Sequence, residues 1–353
     1  MEVNPTALWI SNASMPPSLE TKFDESRLMD MLKVFFYGVI FLLGSLGNGA
    51  VIWITIRQDS WTISCIWFFN LALADFLFSF CRIAPLLNIA IYEGWGFGTL
   101  VCKASGFIKY LNMFCSVFLL AAISMDRAAC VAYPIWSRQH RNSRLAWLAA
   151  SGAWFMAIVT SLPFYLYRRV VTKGNRTKCS VELAGNEQVV KVTIYMLRLI
   201  CGFLAPFTII VICYGIITVV MRRRHTSLQS KKPFKVILAL VVTFFLCWAP
   251  YHIIYLLKLA GMSGTALSFT NLFASFLAYL NSCANPVLYF FLSMDFHKKL
   301  TLSNIIRALK KTLLEDNSSV IRGSIGNNKE VSSIGERATS SEVYPMHCGN
   351  STP

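Results

Sequence analysis

Residues 65–88 read CIWFFNLALADFLFSFCRIAPLLN. The run is long enough to cross a bilayer as a helix, which takes about 20 apolar residues, yet a carboxylate, Asp75, sits near its middle. An unpaired charge at that depth is costly and is usually kept for function. Arg82, Lys109, Arg198 and the pair Asp126–Arg127 also fall at intramembrane positions. Their depths sort them into an outer group, placed to hold a ligand, and an inner group, placed to control a switch. That division suggests a receptor.

Composition agrees with a membrane location. The 353 residues are 55% hydrophobic and only 14% charged, against roughly 25% charged in soluble domains, and the mean hydropathy is +0.53. The net charge of +16 does not point to nucleic acid, because the basic residues flank apolar runs, as in Arg222–Arg224 and Lys310–Lys311. That pattern fits anionic headgroups and the positive-inside bias. Seven spans are predicted near 32–56, 65–88, 101–126, 146–167, 194–220, 235–258 and 268–292, with no signal peptide before the first. The fold class is therefore an all-α membrane protein, a seven-transmembrane helix bundle with a short amphipathic eighth helix. Its expected parts are an extracellular tail (1–31), the bundle (32–292), the amphipathic helix (293–314) and a disordered cytoplasmic tail (315–353).

Basic loops at 127–145 and 221–234 place those connections in the cytoplasm and the amino terminus outside, at the plasma membrane. The sequons at Asn12 and Asn175 then face the glycosylating side. Of 11 cysteines, Cys102 and Cys179 fall in or beside extracellular loops, which implies one disulfide there. The basic loop 168–193 exceeds what topology demands and would attract an anion. The histidines lack metal-ligand spacing.

From Cys102 to Asp126 is roughly 36 Å of helix, which sets Lys109 about 10 Å and Ser116 about 20 Å below the outer rim. In chain order follow Gly47-Asn48, Leu71–Asp75, Cys102, Asp126-Arg127, Trp154, Pro206, Tyr214, Phe244, Cys247-Trp248-Ala249-Pro250 and Asn285-Pro286-Val287-Leu288-Tyr289. Over residues 32–300 this series resembles the class A, rhodopsin-like G-protein-coupled receptors. Residues 111–127 and 134–141 are similar to the chemoattractant branch, with its formyl-peptide, chemerin and chemoattractant prostaglandin D receptors.

The resemblance implies roles. Asp75, Ser116, Asn281, Ser282 and Asn285 would supply oxygen ligands to an allosteric sodium ion, the alternative being a polar network without an ion. Trp248 above Phe244, near Val117 and Pro206, would be the lever that turns ligand contact into sixth-helix movement. Pro206, Pro250 and Pro286 are weak points where helices bend. Arg127, held by Asp126 at rest, would be freed to meet a heterotrimeric G protein of the inhibitory type, with Tyr214 and Tyr289 steadying the open state. The triplet departs from the family in ending at Ala128, and the base of the sixth span offers no acid to Arg127, so a loose latch with basal activity is expected.

The outer pocket collects Arg82, Lys109, Arg168 and Arg198, with Tyr110, Tyr251, His252, Tyr255 and Tyr279 as walls. It lacks the aspartate that amine receptors carry at the Lys109 position, so an anionic ligand is expected. In the prostaglandin D receptor a basic residue, an arginine and a tyrosine at the places of Arg198, Arg168 and Tyr251 grip a carboxylate. A further tyrosine of that pattern is Val181 here, and Tyr110 replaces the acid of the formyl-peptide pattern. A prostaglandin D-like carboxylate lipid is the first expectation, with a chemerin-like peptide presenting its C-terminal carboxylate as the alternative. A decoy receptor that does not couple is the rival reading within the fold. Serines near 318–341 would take phosphates from receptor kinases and recruit arrestin. A transporter would show repeated halves, a retinal protein a lysine in the seventh span, and an enzyme paired acids or a nucleophile with its base. None is present in the sequence.

Overall fold

The computed structural model describes residues 17–58, 60–92, 94–173, 176–181, 187–223 and 232–292. The sequons Asn12 and Asn175, the expected amphipathic helix 293–314, the tail 315–353 and the Tyr289 side chain lie outside the described residues.

The first span comprises α1 (Pro17–Val39), a π-helical turn (Ile40–Gly44) and α2 (Ser45–Ile56). The second comprises α3 (Ile63–Phe80) and α4 (Ile83–Ile91). Next come α5 (Gly98–Ala132) as the third span, the short α6 (Pro134–His140), and α7 (Ser143–Leu166) as the fourth. A hairpin of β1 (Arg168–Lys173) and β2 (Arg176–Val181) leads to the fifth span, made of α8 (Glu187–Leu199), a second π-turn (Ile200–Leu204) and α9 (Ala205–Arg223). The sixth is α10 (Lys232–Leu259) and the seventh α11 (Thr265–Leu292).

Six of these spans are each long and apolar enough to cross a membrane by composition alone. The seventh, α11, has the length, with 28 residues, but carries the polar residues Asn281, Ser282 and Asn285 that face inward and are buried. Helix ends depart from the hydropathy limits. The helix of the first span begins at Pro17 rather than near residue 32, α5 runs to Ala132 past Asp126, and α8 starts at Glu187 before residue 194. Hydropathy marks where a helix meets lipid, whereas the backbone stays helical beyond it into water. Proline suits a first helical turn, which accounts for the start at Pro134.

Local chemistry sets the remaining breaks. Thr62 caps α3 by accepting from the Cys65 amide at 3.2 Å, and Asn142 caps α7 by accepting from Leu145 at 2.8 Å. Pro85 has no N–H and its ring collides with the carbonyl four residues back, so the second span breaks between Phe80 and Ile83. Arg82 lies on that break. The second π-turn ends two residues before Pro206, whose missing N–H loosens the same stretch.

The third span is the centre of the bundle, packing against the second, fourth, fifth and sixth. Leu71, Met113, Phe114, Val117, Leu119, Phe244 and Trp248 form the middle of its core. Buried polar groups tie helices together, as lipid-embedded bundles require. Asn48 donates to the carbonyls of Gly44 (2.9 Å) and Ser282 (2.8 Å), and the Trp154 indole donates to Asn70 (3.0 Å). Gly44 is needed for the first approach: a Cβ there would lie 2.6 Å from the Ser79 Cβ. The expected Cys102–Cys179 disulfide is formed, with the Cα atoms 5.6 Å apart. It pins β2 over the top of α5.

Candidate functional site

Arg198 ends α8 with its side chain turned into the bundle, and only 2% of the residue is exposed. Its Nη1 donates to the hydroxyls of Tyr110 (3.1 Å) and Tyr251 (3.0 Å), and its guanidinium carbon stacks 3.7 Å from the Tyr255 ring centre. Nε and Nη2 are buried with no hydrogen-bond partner. Lys109 comes from α5 to the same Tyr251 hydroxyl, donating at 3.0 Å, and the Tyr110 and Tyr251 hydroxyls lie 3.3 Å apart.

This cluster is rich in donors and poor in acceptors. Arginine and lysine donate only, and each phenol oxygen offers two lone pairs. Tyr251 already accepts from both cations and Tyr110 accepts from Arg198. Asp75 is the one acid among the buried described residues, and its two oxygens are engaged deeper in the bundle. None of Arg82, Lys109 and Arg198 forms an ion pair with an acid among the described residues. What the arrangement lacks is an anion.

The remaining predicted pocket residues divide. Arg82, 3% exposed, donates through Nη2 to the Ser105 carbonyl (3.2 Å) and lies over Phe78 (4.6 Å) and Tyr279 (5.8 Å). Tyr279 also faces the Lys109 ammonium at 5.2 Å. His252 is buried, its ring 4.8 Å from Phe203 and both ring nitrogens without a partner. Arg168 makes a different contact from the tyrosine-bonded cations. Its Nε donates to the Cys179 sulfur at 3.1 Å, and its Cδ lies where a Cβ on residue 106 would be, at 2.5 Å, so Gly106 makes room for it. Val181, in place of the expected tyrosine, is exposed at the end of β2. Tyr195 was not foreseen. It lies one turn before Arg198, its ring centre 5.1 Å from the guanidinium, and it donates to the His252 carbonyl at 3.1 Å.

The switch residues connect directly to this cluster. The Trp248 ring is 5.6 Å from Tyr251, edge-on, and 6.0 Å from Phe244 below it. Val117 belongs to the same buried cluster, and Pro206 is buried on α9. A shift of the Tyr251 hydroxyl therefore moves a ring that touches the lever.

Around Asp75, one carboxylate oxygen accepts from the Asn112 amide (2.7 Å) and the other from Asn285 (2.6 Å), while Ser282 donates to the Asn112 oxygen (3.3 Å). Asn112 is a further residue that the sequence reading passed over, although it lies on the helix face between Lys109 and Ser116. The Ser116 hydroxyl and the Asn281 oxygen are buried without partners. These oxygens suit a hard cation, and each Asp75 oxygen keeps a second lone pair beside the amide it accepts from.

At the far end of α5 from Cys102, Asp126 has a closer partner than the expected one. Arg141 grips both its oxygens, Nε at 2.7 Å and Nη2 at 2.9 Å, whereas Arg127 Nε is 3.7 Å away. Arg141 lies one residue past α6, the helix that Pro134 starts, and the end of that helix places its fork beside Asp126. Arg127 donates to the Ser64 hydroxyl at 3.0 Å. Tyr214 packs against the small cluster of Ala128, Cys213, Ile217 and Met221.

A seven-helix bundle with cations buried among tyrosines toward one end and an arginine toward the other defines the receptor class of membrane proteins. Residues 47–289 match the model of the 7 transmembrane receptor (rhodopsin family), and the chain belongs to that family. It is 37% identical to chemerin-like receptor 1 of Sus scrofa over 340 residues, covering 90% of this chain and 91% of the relative. It is 35% identical to formyl peptide receptor 2 of Mus musculus (82% and 88% covered) and 37% to the C3a anaphylatoxin chemotactic receptor of Oncorhynchus mykiss (85% and 84%). The protein is thus a multi-pass membrane receptor of the chemoattractant group and not an enzyme. The prostaglandin D-like expectation finds no support among these relatives, which carry the names of chemerin, formyl peptide and C3a.

Proposed function

We propose that this receptor answers a chemoattractant peptide, whose C-terminal carboxylate enters the outer cavity and pairs with Arg198 and Lys109. The observation that carries the reading is the Arg198 guanidinium: one nitrogen is fixed by Tyr110 and Tyr251, while Nε and Nη2 are buried with no acceptor. A carboxylate meets arginine through two parallel bonds, and that exchange would supply acceptors the protein lacks. Tyr251 would pass the rearrangement to Trp248 and Phe244. The sixth helix, bent at Pro250, would then swing and open the inner face around Arg127 to a G protein of the inhibitory type. Receptor kinases and arrestin would act on the serine-rich tail, and the amino terminus would lie outside. The partnerless oxygens of Ser116 and Asn281 support a sodium ion at Asp75 in the resting receptor.

The test is a panel of short peptides, each with a free C-terminus and as its C-terminal amide, applied to cells expressing the receptor. G-protein nucleotide exchange and arrestin recruitment are read in parallel. Agonism by free acids and its loss in the amides is the expected result. An amide or a prostanoid as the best agonist would refute the peptide-carboxylate reading. Arrestin recruitment without nucleotide exchange would instead identify a decoy.

A further inference from the structure

Arg82 is a buried cation that the proposed carboxylate contact does not use. It is 3% exposed, and its Nη2 donates to the Ser105 carbonyl. Nε is buried and unpartnered, and no acid among the described residues pairs with it. The faces of Phe78 and Tyr279 lie 4.6 and 5.8 Å from its guanidinium carbon. Ring faces and one carbonyl do not replace the hydration of a guanidinium, and a purely structural staple at the break of the second span would be met by a neutral donor.

Arg82 is also joined to Arg198 by a continuous path. Tyr279 stands between Arg82 and Lys109, 5.8 Å from the first and 5.2 Å from the second. Tyr251 stands between Lys109 and Arg198, accepting from both at 3.0 Å. Arg82, Lys109 and Arg198 therefore form a row of three cations separated by phenols, with a partnerless guanidinium nitrogen at either end.

We propose that Arg82 is the subsite for a second carboxylate, and that the ligand is a dianion: a peptide with an acidic side chain near its free C-terminus. The proposal rests on the peptide-carboxylate reading above and adds the second charge. Because Lys109 and two tyrosine rings lie between the arginines, the two carboxylates stand on opposite ends of a spacer of several bonds. They do not sit on neighbouring atoms.

The probes are α,ω-alkanedioates of increasing length and the matching alkanoates, titrated onto the full-length receptor in nanodiscs. A second set is short N-acetylated peptides with and without one glutamate ahead of a free C-terminal phenylalanine. Binding is read as a rise in unfolding temperature, reported by a thiol dye reaching the buried cysteines Cys115 and Cys247. Within one window of spacer lengths, the dioate is expected to half-saturate at a concentration at least about tenfold below its alkanoate, the gain from tethering the second contact. The glutamate peptides should show the same advantage. Arg82→Gln should abolish it and leave alkanoate binding in place, while Arg198→Gln should abolish alkanoate binding. Equal dioate and alkanoate curves at every length in the wild type, with alkanoate binding still dependent on Arg198, would overturn this inference alone. An advantage that survives Arg82→Gln would do the same. Alkanoate binding that is absent, or indifferent to Arg198, would overturn the underlying reading and this one with it. An advantage confined to alkanedioates would replace the peptide by a lipid dicarboxylate and so refute the assigned class. The wild-type comparison decides the matter should Arg82→Gln fail to fold, and Arg82→Lys, keeping the charge, should retain part of the advantage.

Discussion

Arg198→Met should separate binding from stability, moving them in opposite directions. In the ligand-free protein the guanidinium gains two hydrogen bonds to phenols and one stacking contact at 3.7 Å. Bonds to a charged group contribute roughly 1.5–3 kcal/mol each and a desolvated cation–π contact about 2 kcal/mol. Against this stand a desolvation penalty of several kcal/mol and two orphaned donors at roughly 1–3 kcal/mol each. The two sides nearly cancel. Methionine fills a similar volume and leaves the Tyr110 and Tyr251 hydroxyls to each other and to Lys109. Replacing a buried charge by an apolar residue of its size is commonly neutral or stabilising by about 1–4 kcal/mol, so the ligand-free unfolding temperature should hold or rise. The carboxylate, however, loses its fork, a loss of roughly 2–5 kcal/mol, or on the order of 30- to 5,000-fold in half-maximal concentration. Thermal unfolding in nanodiscs and nucleotide exchange with the best free-acid peptide would measure the two effects. A variant that unfolds several degrees earlier yet answers the peptide within about threefold would refute the reasoning. Arg198 would then be an interhelical staple.

The other sites yield narrower expectations. Replacing Cys102 and Cys179 by serine opens a link across 77 residues; the loop-entropy relation puts the cost at about 4–5 kcal/mol. The pair should lower cell-surface expression strongly, and normal expression with an unchanged unfolding temperature would contradict it. Arg141→Ala removes the fork from Asp126 and leaves the carboxylate to Arg127, so agonist-free nucleotide exchange should fall about two- to tenfold; a rise would show that the Arg141 contact itself holds the resting state. Asn112→Ala bares one oxygen of Asp75. Exchanging choline for sodium should then raise the unfolding temperature more in the variant than in the wild type, and equal shifts would count against sodium at this carboxylate.

The bundle was legible because lipid enforces it: a span must be apolar over its length, so each polar exception stands out, and Asp75, Arg82, Lys109 and Arg198 were all visible that way. Helix ends were not, since water imposes no such filter on Pro17–Asp30 or Arg127–Ala132. The break in the second span follows from Pro85, but only the folded chain shows that it sets Arg82 inward against Tyr279. Asn112 passed unnoticed because one amide in an apolar helix carries no charge to be explained, although its spacing from Lys109 and Ser116 put it on the inner face. Arg141 was visible only as a basic loop residue; its grip on Asp126 depends on α6, a short helix whose start Pro134 fixes.

The expectation of a prostaglandin D-like ligand fails for a related reason. It rested on three positions, Arg198, Arg168 and Tyr251, whose contacts in the folded protein differ. Arg198 and Tyr251 bond to each other inside the cavity, while Arg168 donates to the sulfur of Cys179 and packs over Gly106 at the base of the hairpin. Under the proposed reading two of the three would meet an anionic group as such, and a carboxylate offers the same pair of oxygens whether a lipid or a peptide carries it. The body of the ligand must be read by what surrounds that group, and here the surroundings are a second guanidinium, a lysine and a row of phenols. A long hydrocarbon would leave those donors unmet, whereas a peptide brings carbonyl oxygens at every residue.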